Sequence, residues 1–271
     1  MTLDGTILDV VIGGIGVWSP ELPGWADASA MLRGEREVAT TATRPAPALL
    51  AANERRRAPD SVLLALEVAQ QACAMSARDP AAMPAIFASA YGDLPINDYL
   101  CAELTRVPLE LSPTKFHNSV HNAPAGYWAI ATGCMASTSA VSAGTATFGA
   151  GLLEAALLAT SEKVSVTFAA YDVAATGPLA DVIPCRSAFG LGLVLAPSGS
   201  GPGAALRLRL AAASATRLAP EPALLHAAHR DNPAAYGLAL LAALARNEAA
   251  AFAVPAGPRL DLNLEVSIWQ N

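Results

Sequence analysis

Residues 145–160 read Thr-Ala-Thr-Phe-Gly-Ala-Gly-Leu-Leu-Glu-Ala-Ala-Leu-Leu-Ala-Thr, a helical stretch with almost no polar face. A helix that is apolar all round must be buried on every side, by other layers of the same chain or by a partner chain. Strands are legible around it. Leu8 to Val17 is β-branched and bounded by glycine, as a buried strand is, and Ala85 to Ala90 and Ala140 to Ser142 are short apolar runs. Val164 to Ala170, Phe189 to Ala196 and Ala205 to Ala211 follow, and Leu260 to Val266 alternates cleanly, as a half-exposed last strand does. Helices fall between them: one capped by Ser61 and running to about Met75, one near Ile96 to Leu104, and one over Asn232 to Ala251 with Pro233 in its first turn. Arg44 to Asp60, with Arg55-Arg-Arg57, reads as a surface loop. Strands interleaved with helices indicate an α/β fold.

Composition excludes several function classes. Of 271 residues, 53% are hydrophobic and 15% charged, enough for a large core in one large domain or two small ones. The formal charge of −6 carries no basic block, which argues against nucleic acid as a partner. No apolar span is long enough for membrane insertion, and the start Met-Thr-Leu-Asp-Gly lacks the pattern of a secretory leader, so the expected location is the cytoplasm. Cys73, Cys101, Cys134 and Cys185 show no metal-ligand spacing and read as small core residues. The pairs His117/His121 and His226/His229 lack the glutamate of a zinc helix, and Pro113 and Pro124 bracket the first pair in loop-like sequence. Gly14-x-Gly16 hints at a dinucleotide loop, but Val-Trp-Ser-Pro follows instead of a helix start. No metal or cofactor is expected.

Several motifs together resemble the β-ketoacyl synthases of the thiolase superfamily. Val10-Val-Ile-Gly-Gly-Ile-Gly-Val-Trp-Ser-Pro20 is similar to their opening strand and turn, and Leu32-Arg-Gly-Glu35 to the helix-to-turn motif after it. Glu54-Arg-Arg-Arg57 with the Val62 to Cys73 helix resembles their Arg-Arg segment. Leu111-Ser-Pro-Thr-Lys-Phe116 through Ser119-Val-His-Asn-Ala-Pro-Ala-Gly126 resembles the loop before the nucleophile, and Phe189-Gly-Leu-Gly-Leu-Val-Leu195 the closing strand of the first half. The resemblance spans residues from about 8 to 211. It implies one ketosynthase-like domain over residues 1–271, with a complete thiolase-like N-terminal half (1–211) and a truncated C-terminal remainder (212–271).

The departures from that family carry the functional expectation. Thr145 stands 23 residues beyond Asn122, where the family places its reactive cysteine, and counting back from the Val164 strand reaches the same residue. The family's two catalytic histidines have no counterpart here, since Leu225-His-Ala-Ala-His-Arg230 matches neither of their motifs. Without thiolate and histidines, decarboxylative condensation has no known route. The chain therefore resembles the short ketosynthase-like proteins of aryl polyene (xanthomonadin-type) pigment systems. That resemblance implies a non-catalytic chain-length factor paired with an active ketosynthase in a heterodimer, meeting acyl carrier protein only indirectly. Lys115, Phe116, His117, His121 and Asn122, with Leu100, Leu104 and Phe148, are the residues it places at the pocket or interface.

A second class competes. Ala140-Val-Ser142-Ala-Gly144 approximates the Gly-x-Ser-x-Gly elbow of serine hydrolases and acyltransferases, and Asp172 or Asp181 followed by His226 or His229 would keep the Ser…Asp…His order. Against it, the first glycine is alanine, no His-Gly-Gly oxyanion segment is present, and Ser142 is expected inside the buried strand. Thr145 as a nucleophile lacks an adjacent base in the sequence.

Overall fold

The computed structural model describes residues 7–37, 44–106, 110–213 and 229–270. Its strands are β1 (Ile7–Trp18), β2 (Ala85–Ala88), β3 (Thr138–Val141), β4 (Val166–Asp172), β5 (Phe189–Pro197), β6 (Gly203–Ala212), β7 (Ala250–Gly257) and β8 (Leu260–Gln270). Its helices are α1 (Trp25–Leu32), α2 (Ala52–Arg57), α3 (Asp60–Ser76), α4 (Leu94–Glu103), α5 (Pro113–His117), α6 (Ala123–Thr132), α7 (Thr147–Glu162), α8 (Leu179–Val182) and α9 (Leu238–Arg246). The strands form one sheet in the order β3-β2-β4-β5-β1-β6-β8-β7. β2 runs parallel to both β3 and β4, and every other pairing is antiparallel.

Helices cover both faces of the sheet, so its central strands carry no polar face. β4 is buried along its whole length, with Val166, Phe168 and Ala170 in the core shared with α7 and α9, and Ala169 and Tyr171 in the core shared with α3 and α6. Helix α3 lies in a trench of missing side chains. A Cβ at Gly16 or Gly192 would overlap the Val68 carbonyl, and one at Gly14 the Ala72 carbonyl. Gly14-x-Gly16 is thus occupied by helix backbone and is no dinucleotide loop; glycine is required because helix and sheet backbones touch.

Helix α7 is covered from within the chain. A Cβ at Gly149 would overlap the Pro255 carbonyl of β7, and Gly237, in the 3₁₀ turn Pro233–Gly237, packs on Phe148. The β7–β8 hairpin and the 3₁₀ turn therefore close over the helix from within the chain rather than leaving it to a partner; on its outer side Glu154 is exposed and Leu157 is 40% exposed.

Four local expectations are corrected. Pro59, not Ser61, occupies the N-cap of α3, and the Ser61 hydroxyl instead donates to Asp93 Oδ2 at 2.8 Å. Residues 232–251 are not one helix: Asn247, at φ 52°, ends α9, and β7 follows. Alanine at 249, 250, 251 and 253 conceals the change of period. Pro113 and Pro124 do not bracket a loop but sit in the first turns of α5 and α6. The Arg44–Asp60 stretch contains α2, packed through Arg55, whose guanidinium donates to the Pro47 and Leu50 carbonyls.

Candidate functional site

The chain leaves the edge strand β3 at Val141 and turns into α7 through Ser142, Ala143 and the 3₁₀ turn Gly144–Ala146. Gly144 sits at φ 56°, where a side chain would strain the backbone. Thr147 stitches the turn, its Oγ1 accepting from Ala143 N at 2.9 Å and donating to the Gly144 carbonyl at 2.7 Å. Thr145 is exposed at the tip, and no hydrogen bond from a described base reaches it. Ser142 is also exposed and lies outside the strand, contrary to the sequence expectation; its hydroxyl donates to the Ala90 carbonyl at 3.2 Å.

The loop receiving that bond, Ser89-Ala-Tyr-Gly92, is the hub of the site. Ser89 N donates to the Val141 carbonyl at 3.1 Å, and the Ser89 carbonyl meets His121 Nε2 at 2.8 Å. Beneath it lies Asp172, the last residue of β4, fully buried. Its Oδ1 accepts from Ser89 Oγ at 2.8 Å and Tyr91 N at 3.0 Å, and its Oδ2 from Ala90 N at 3.2 Å. Burial pushes the Asp172 carboxyl up to about 7 against the opposing pull of these donors. Asn232 joins from the C-terminal segment, donating to the Asp172 and Ser187 carbonyls at 3.0 and 2.9 Å. The sequence signal for Asp172 was present as a lone carboxylate closing an apolar strand; the roles of Ser89 and Asn232 had no sequence signal.

Among the described residues, the serine-hydrolase candidates are not brought together. Ser142 bonds a backbone carbonyl, and the three donors of the 89–92 loop enclose Asp172. His229 is buried, its ring centroid 5.1 Å from that of Phe189 and its Nε2 3.3 Å from Glu21 Oε2. Burial lowers the His229 pKa, with Glu21 opposing. Asp181 is exposed on α8, and His226 lies outside the described residues.

The remaining candidates divide by exposure. Asp93 caps α4 by accepting from Ile96 N at 2.8 Å; Leu100 in that helix is half-buried, and Leu104, its C-cap, is 66% exposed. Lys115 Nζ stands 3.5 Å from the Tyr99 ring centroid, and Phe116 is 62% exposed. His117 and Asn122 line a cleft of 410 Å³ with Leu50, Gly126, Tyr127 and Ile130. Phe148, by contrast, is fully buried 5.9 Å from the Phe168 ring and is a core residue, not an interface one. Cys73, Cys134 and Cys185 are buried, Cys101 is exposed, and no cluster of potential metal ligands occurs among the described residues. No helix among the described residues is long and apolar enough to cross a membrane.

Residues 25–257 match the family of the β-ketoacyl synthase N-terminal domain, and the chain belongs to that family. Comparison with curated proteins finds no match. Among solved structures, the ketosynthase ApeO in complex with its chain length factor ApeC from Xenorhabdus doucetiae is similar at 23% identity and a TM-score of 0.69, over 95% of this chain and 99% of that one. The ishigamide ketosynthase/chain length factor is similar at 14% identity and a TM-score of 0.65, covering 96% and 99%. A β-ketoacyl synthase from Burkholderia phymatum STM815 is similar at 10% identity and a TM-score of 0.64, covering 97% and 100%. The fold is the thiolase-like fold of ketosynthases.

Proposed function

We propose that this chain is the non-catalytic, chain-length-factor-like subunit of an active β-ketoacyl synthase working on acyl carrier protein thioesters in aryl polyene-type biosynthesis. The observation that carries the reading is the elbow itself. Its fold is intact, but its tip bears the exposed Thr145, with no base among the described residues to activate it. His121 is engaged with a backbone carbonyl, and His229 is buried beside Glu21.

The surface supports pairing. β3 is an edge strand whose four residues are all half-buried, and beside it Ile130 is 83% exposed and Met135 95% exposed. On this reading the face around Lys115 to His121 and α4 meets the ketosynthase's growing acyl chain, and bulk there sets where extension stops, by steric exclusion alone. The chain shapes the tunnel and meets the carrier protein through its partner. Assembly and chemistry are tested together. Co-expression with a genomically adjacent ketosynthase should give a heterodimer by light scattering, and intact mass should show acyl transfer from carrier thioester to the ketosynthase only. Stoichiometric acylation of this chain, or a monomer that never co-elutes, would overturn the proposal.

A further inference from the structure

Helix α4 is attached to the rest of the fold by little apolar surface. Leu94 and Ile96 are buried at its start, but from Asn97 to Glu103 only Glu103 is buried, and that carboxylate is paired with Arg106 at 2.6 Å. A helix of this kind takes its position from other contacts, since tertiary packing is what ordinarily holds a helix of ten residues. Its first turn is fixed by Asp93, which accepts from Ile96 N and from Ser61 Oγ of α3, each at 2.8 Å.

The outer half is gripped at two adjacent residues. Asp98 Oδ2 accepts from Thr176 Oγ1 at 3.3 Å. Gly177, at φ 53°, lies so close that a Cβ there would fall 2.2 Å from Asp98 Oδ1. The loop carrying both residues is shut at its base, where Ala175 N donates to the Cys185 carbonyl at 2.9 Å, so it offers a fixed anchor. The Tyr99 hydroxyl accepts from Ser112 N, at the N-cap of α5, at 3.1 Å, and its ring holds Lys115 Nζ 3.5 Å from the centroid. Consecutive side chains leave a helix about 100° apart, so these grips pull on different sides of α4.

We propose that Asp98 and Tyr99 are positioning residues: they clasp α4 between the loop after β4 and helix α5, and this clasp, more than core packing, fixes where Leu100 and Leu104 stand. That those leucines meet an acyl chain rests on the function proposed above. On that reading the clasp sets how sharply growth stops. A bulky side chain excludes the chain end only as precisely as its own helix is held, so a clasped α4 gives one stopping point and a released α4 gives several.

The clasp is read first on the isolated chain, by amide exchange over Leu100 to Leu104 with α3 as internal reference. Asp98→Ala and Tyr99→Leu should each speed exchange there by about three- to tenfold, the range for one lost polar contact, and leave α3 unchanged. Asp98→Asn keeps an acceptor for Thr176, and Tyr99→Phe keeps the ring beneath Lys115, so both should stay closer to the wild type. Gly177→Ala disturbs the Asp98 contact from its other partner and should match Asp98→Ala. Because the two changes break one contact, combining them should speed exchange no further. Full additivity of that pair, or α4 exchange unchanged by Asp98→Ala and Tyr99→Leu, would overturn the clasp.

Its effect on length is read with the adjacent ketosynthase co-expressed. Asp98→Ala and Tyr99→Leu should leave the heterodimer intact and widen the product distribution towards longer chains by mass spectrometry, while Asp98→Asn and Tyr99→Phe restore the wild-type spread. A lower yield at unchanged spread is what a merely structural role would give, and it would overturn the positioning role. A wild type that forms no heterodimer would sink the pairing reading and the length role with it, and the exchange results on the isolated chain would still decide the clasp.

Discussion

Glycine shows how one substitution can have opposite signs at two places in this chain. At Gly192 a Cβ meets the Val68 carbonyl, a backbone atom that only movement of α3 can displace. Gly192→Ala should therefore cost about 1–3 kcal/mol in urea unfolding. Gly126 lies in α6 with nothing within 4 Å of its Cβ position, so Gly126→Ala should add up to about 1 kcal/mol through helix propensity. Thiol reactivity separates residues in the same way. Burial pushes Cys73 up to about 11 and Cys185 up to about 12, and Cys134 is enclosed, whereas Cys101 is exposed. Native protein at pH 8 should release one equivalent in a thiol titration, from Cys101, and the other three only on unfolding. A Cys101→Ser variant should then be silent until denatured.

At the scale of elements, the β7–β8 hairpin supplies from within the chain the cover that the apolar α7 requires. It packs Pro255 on Gly149 of α7, and its strand β8 lines β6 from Gly203 to Ala212. A chain ending before Ala250 would expose α7 and the edge of β6 together, and it should be recovered as aggregate rather than as soluble monomer. Gly149→Val, which sets a side chain against the Pro255 carbonyl, should lower the thermal midpoint without changing the elbow. Much of this architecture was legible in the sequence where side chains carry period: the β-branched β1, the apolar β4 and the alternation of β8 all lie close to where they were expected. β7 was hidden because alanine has little preference between helix and strand patterns and the Ala-rich run spans both. α6 was hidden because its one proline, Pro124, sits in the first turn and starts the helix rather than marking a loop. The turn from β3 into α7 lies where counting from Asn122 put it, and Asp172 was legible as a carboxylate closing a strand, but its burial was not, since that depends on a loop far away in the chain. Gly14-x-Gly16 was legible as glycine-rich but not as a helix trench, because α3 reaches it only in the folded sheet.

For the whole molecule, the proposed role turns on two surfaces that can be perturbed separately. The apolar strip of Ile130 and Met135 beside the edge strand β3 is far more exposed than a core residue, and a stable interface of roughly 1,600 Å² has an apolar centre of this kind. Ile130→Asp places a charge there and should abolish co-purification with the ketosynthase while leaving the isolated chain's thermal midpoint within about 1 °C, since an exposed side chain contributes little to folding. Leu100 is half-buried on α4, and Leu104, its C-cap, is 66% exposed. Leu100→Trp or Leu104→Trp should leave the heterodimer intact and shorten the polyene it delivers, read as a shift of the product distribution by mass spectrometry. Loss of product together with loss of assembly would place α4 in the pairing face instead of the tunnel wall. Unchanged product length with intact assembly would remove chain-length control from this subunit and leave it a stabilising partner.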